Sequence, residues 1–67
     1  MTLEEIRKQR ERMAELATEA RKELDAITDK TEAGKVKEIE ARFDAIMADH
    51  DAIGSRIERE QKVAQAE

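Results

Sequence analysis

The sequence predicts an all-α chain: an antiparallel helical hairpin of coiled-coil character that associates into a larger helical bundle. Three observations carry this. The apolar residues fall into two runs that step by threes and fours, the rhythm of one helix face. Only one short polar stretch, Asp29 to Lys35, interrupts them. Charged residues make up 45% of the chain, with no proline, one aromatic residue and two glycines, a composition that fits long or coiled helices rather than a mixed domain.

The first helix is predicted over about residues 3–28. Thr2 is placed to cap it, and Glu5 completes a capping box. In heptad register Leu3, Arg10, Ala17 and Leu24 take one core position, and Ile6, Met13, Ala20 and Ile27 take the other. Leu16 and Ala14 lie beside this seam and widen it. A turn follows at about 29–34, because Thr28, Asp29 and Thr31 favour caps and turns over helix interiors, with Asp29 or Thr31 as the next cap. Gly34 weakens helix around it by about 1 kcal/mol relative to alanine. The second helix is predicted over about 35–62, with Val36, Phe43, His50, Ile57 and Ala64 at one core position and Ile39, Ile46 and Ile53 at the other. Glu60 ends the series, and the last turns are expected to fray.

Folding the chain back near Thr31 pairs the seams by size. Ile27 meets Val36, Leu24 meets Ile39, Ala20 and Ala17 meet Phe43 and Ile46, Met13 meets His50, and Ile6 meets Ile57. Small residues oppose the one large aromatic, as close packing requires. Sixty-seven residues bury too little surface for a self-sufficient core, and without cysteine no disulfide or thiolate metal site can help. A lone hairpin leaves half of each stripe wet, with Leu16, Met47 and Val63 on its flanks. Self-association or docking onto a larger body is therefore expected.

The formal net charge of -4 is mild, and neither half has the clustered positive charge of a nucleic-acid surface. The acidic start of the chain is unlike a signal peptide, and no apolar run approaches the roughly 20 residues that span a bilayer. Cytosolic synthesis is the expectation, with neither nucleic acid nor membrane as partner.

No residue set supports catalysis, a metal or a cofactor. His50, the only histidine, has Ile46, Met47, Ile53 and Gly54 where a second helical metal ligand would stand. It reads as a register position in the seam, or as a pH-sensitive one whose protonation would loosen the contact below about pH 6. Arg10 is the other candidate for register control, unless it snorkels to water near the helix end. Arg7, Lys8, Arg10 and Arg12 form the one basic cluster, which Glu4, Glu5, Glu11 and Glu15 compensate, with Glu4 to Lys8 in the favourable order. Glu11, Glu15, Glu19 and Glu23 make a row of like charges, either solvated surface or a stripe for a basic partner. A hairpin offers no cleft in which paired carboxylates would act as acid and base.

Thr31-Glu32-Ala33, then Glu38-Ile39-Glu40-Ala41-Arg42-Phe43-Asp44-Ala45-Ile46, Asp51-Ala52-Ile53 and Arg56-Ile57-Glu58-Arg59 together resemble the N-terminal segment of tailed-phage major capsid proteins of the Hong Kong type. Leu3-Glu4-Glu5-Ile6-Arg7 is similar to that family's leading helix. The resemblance spans nearly the whole chain. It implies an internal scaffolding (delta) domain that associates with its own kind and with the capsid subunit body. It also implies work inside the procapsid in the host cytoplasm, and removal by a maturation protease. The alternative is a coiled-coil adaptor or oligomerisation module unrelated to capsids, which would use the same stripe.

Overall fold

The computed structural model describes all 67 residues. It holds two helices, α1 (Leu3–Asp25) and α2 (Ala33–Ala66), packed antiparallel as a hairpin with no strand. The Cα envelope measures 54 × 16 × 12 Å, so the molecule is two helices wide and one helix thick. At about 1.5 Å per residue, the 34 residues of α2 set the long dimension. The 23 residues of α1 cover only part of it.

The start of α1 forms as the sequence predicts. The Glu5 amide donates to Thr2 Oγ1 at 3.1 Å, and the Thr2 amide donates to Glu5 Oε1 at 3.2 Å. Two of the four amide donors that a helix start leaves open are thereby satisfied. α1 ends three residues earlier than predicted, and the link is built by two threonines. The Thr28 amide donates to Thr31 Oγ1 (2.9 Å), the Lys30 amide donates to Thr28 Oγ1 (3.2 Å), and the Thr31 amide donates to the Thr28 carbonyl (3.1 Å). Thr31 thus closes the link instead of capping α2, and Asp29 does not cap it either. Glu32 takes the N-cap position without a side-chain bond. No residue needs a positive φ, so the reversal uses ordinary backbone, and Gly34 sits inside the first turn of α2 with open space where a Cβ would stand. The helix continues to Ala66, four residues past its predicted end, because Gln61 to Ala66 contain no residue that breaks a helix.

The second heptad series of α1 differs from the expectation. Ile6, Met13, Ala20 and Ile27 do line the seam, but Gln9, Leu16 and Glu23 alternate with them. Leu16, expected on a flank, is only 3% exposed. Leu3 is 86% exposed, Arg10 and Ala17 are exposed, and Leu24 is half-buried at the edge. Either companion series preserves a heptad, spaced three or four residues from the first. The one chosen puts a leucine at mid-helix, where α2 covers it, and seats neutral Gln9 in the place of charged Arg10. Leu3 and Ala17 therefore lie outside the seam, and Arg10 is not a buried register charge.

On α2 the predicted positions from Val36 to Ile57 are covered, whereas Ala64, expected to continue them, is exposed. Ile39 and Ile57 are buried, and Val36, Phe43, Ile46, His50 and Ile53 are half-buried, with Met47 beside them. The pairing slides relative to the size-based match: Met13 lies over Gly54, where an added Cβ would meet its Cε at 3.1 Å, one turn beyond His50. A glycine accommodates the flexible thioether better than an imidazole does.

Candidate helix-helix interface

Five residues are buried in this hairpin: Ile6, Leu16, Ala20, Ile39 and Ile57. None of the larger side chains is wholly enclosed. Met13, Leu24, Ile27, Val36, Phe43, Ile46, Met47 and Ile53 are all left half-buried, since two helices can cover one another along a single line only.

About a quarter turn to either side of the seam, the hairpin has two long faces with different chemistry. One is charged and internally matched. Arg12 Nη1 lies 3.1 Å from Glu15 and 3.8 Å from Glu19, Lys35 lies 3.5 Å from Glu38, and Arg42 Nε reaches across from α2 to Glu23 at 3.0 Å. Such exposed pairs add little stability, each under about 1 kcal/mol. Within the predicted acidic row, Arg12 serves both Glu15 and Glu19 and Arg42 serves Glu23, while Glu11 has no partner. The expected pair from Glu4 to Lys8 is absent from the structure.

The other face is open. α1 contributes Leu3, Arg7, Arg10, Ala14, Ala17, Arg21 and Leu24, and α2 contributes Glu40, Asp44, Met47, Asp51, Gly54 and Glu58. Two surface grooves lie on this side. One runs between Arg10, Met13, Gly54 and Ile57, and the other between Leu3, Ile6, Ala14 and Gln61. Arg7, Arg10, Arg21, Glu40, Asp44 and Glu58 take part in none of the ion pairs.

His50 is a half-buried member of the seam, its side chain 25% exposed. Asp51 Oδ1 lies 3.0 Å from its Nδ1. No group of His, Cys, Asp and Glu is arranged to hold a metal ion, and no helix is long and apolar enough to cross a membrane.

One contact that sequence periodicity misses clasps the far end. The Met1 ammonium donates to Glu60 Oε2 at 2.8 Å, and the Met1 side chain is 5% exposed. Its hydrogen bond to Glu60 holds the ammonium above its ordinary value of 8.0. The bond from the Thr2 amide holds the Glu5 carboxyl below its ordinary range. The two shifts act at opposite ends of the pH scale. The Glu5 contribution is present above the ordinary carboxylate range and is lost as pH falls through the lowered folded value. The ammonium contribution is present below 8.0 and is lost as pH rises through the raised folded value. The Cα chemical shifts of residues 3–6 should therefore stay helical near neutral pH and drift toward coil at both extremes. Shifts that stayed flat on acidification would contradict the capping-box role.

Compared with family models, curated proteins and solved structures, the chain matches none.

Proposed function

We propose that this chain is a helical association module. On the resemblance set out above, it is the scaffolding segment of a tailed-phage major capsid protein of the Hong Kong type. It would hold subunits together inside the procapsid, in the host cytoplasm, until a maturation protease removes it.

The half-buried Leu24, Phe43 and Met47, on the open side of the seam, support the association part of this reading. A second pair of helices would cover them, as in a four-helix bundle, whereas the hairpin alone leaves them wet. Repetition across many subunits makes weak contacts sufficient through effective concentration, and weak contacts allow the scaffold to be cleared. The capsid part rests on the order and spacing of the residues that carry the resemblance. An adaptor would bury the same stripe, but no shell-forming body would be continuous with it.

Sedimentation equilibrium tests the association. Over a concentration series from micromolar to millimolar, the apparent mass should rise from that of the 7.7 kDa chain to a multiple of it, with helicity rising in parallel. A fully helical monomer at every concentration would overturn the proposal.

A further inference from the structure

We infer that the open face is the surface on which a second copy of this chain docks, face to face, so that α1 of each copy lies over α2 of the other. This inference rests on the proposal that the chain self-associates.

The rims of the open face carry opposite charge. On α1 the unpaired charges are Arg7, Arg10 and Arg21, and on α2 they are Glu40, Asp44 and Glu58. Lys37 and Lys62, near the two ends of the helix, are the basic side chains on the α2 rim. A symmetric pair is self-complementary about a two-fold axis, and two such axes would bring the faces together. An axis across the helices sets α1 on α1, placing arginines on arginines. An axis along them sets each basic rim on the other copy's acidic rim, twice over, and leaves every helix antiparallel to its neighbours.

The contacts within one hairpin fix which residues share a height. Glu23 stands level with Arg42, Met13 with Gly54, and the Met1 ammonium with Glu60. Rotation about an axis along the helices preserves height. Arg21 then falls level with Asp44 of the second copy, and Arg7 with its Glu58. Between the rims, Ala14 and Ala17 let backbones approach closely, while Leu24 and Met47 supply apolar surface. Both helices contribute to the face along the roughly 35 Å of α1. Leu3, Arg10, Ala17 and Leu24, which keep heptad spacing outside the hairpin's own seam, thereby gain a second seam.

Charge reversal tests this on the full 67-residue chain. One variant combines Arg7→Glu with Arg21→Glu, and another combines Asp44→Arg with Glu58→Arg. A control combines Lys22→Glu with Arg59→Glu, two exposed sites about 100° around each helix from the rim residues Arg21 and Glu58. By sedimentation equilibrium at low salt, each rim variant alone should associate on the order of tenfold to a hundredfold more weakly than the parent, since four cross-copy attractions become repulsions. An equimolar mixture of the two rim variants should recover parental affinity, because every contact is again between opposite charges. The control should associate as the parent does. Rim variants that associate like the parent, a mixture that does not recover, or a control that weakens equally would overturn this docking geometry while leaving self-association intact. A parent chain that stays monomeric throughout would instead overturn the proposed function and, with it, this inference.

Discussion

Replacing Leu16 by alanine should cost about 2 to 5 kcal/mol, the usual toll for emptying a buried leucine site, and should melt most of the hairpin. Leu16 is 3% exposed and central among the five buried residues, so no neighbouring side chain can spread into the gap without uncovering itself. Leu3→Ala removes the same number of atoms from a site that is 86% exposed, and its cost within the hairpin should be under about 0.5 kcal/mol. Thermal unfolding followed by circular dichroism, at a dilution where the chain is monomeric, separates the two. Equal losses would mean that Leu3 shares the intramolecular seam and that the observed register is wrong.

Phe43→Asp or Ile46→Asp, introduced into the capsid protein proposed to carry this segment, should reduce regular procapsids to essentially none while the shell-forming body still folds. Both residues sit half-buried near the middle of the α2 seam. A carboxylate there loses its water without gaining a partner, which costs several kcal/mol unless the helices separate. Phe43 is also among the side chains that a second helix pair would cover, so its change weakens the hairpin and the assembly together. Electron microscopy of lysates reads the result directly. Normal particles from either variant would refute the scaffolding role.

The α2 seam was legible from spacing alone because isoleucine, phenylalanine and valine occupy its positions, with few apolar competitors on other faces. α1 was ambiguous for a physical reason. Ile6, Met13, Ala20 and Ile27 can be completed into a heptad by Leu3, Arg10, Ala17 and Leu24 or by Gln9, Leu16 and Glu23. Counting apolar side chains favours the first set. What decides for the second is which residue stands where α2 can cover it and which polar residue tolerates the seam, with Glu23 answered by Arg42 across the helices. The cross-chain pairing was readable only to within about a turn, since matching by size does not see that Gly54 makes room for Met13. The threonine-built link was foreseen as a turn. Its hydrogen bonds depend on the mutual placement of Thr28 and Thr31, which spacing does not specify.

The link between Asp25 and Ala33 has a kinetic meaning as well. Seven residues keep α1 permanently close to α2, at an effective concentration in the millimolar range or higher. Closing so short a span costs little chain entropy. Four untethered helices would need three separate collisions to build one bundle, each with its own loss of translational freedom. Two tethered pairs need a single bimolecular encounter, so the onset of assembly should scale with the square of protein concentration.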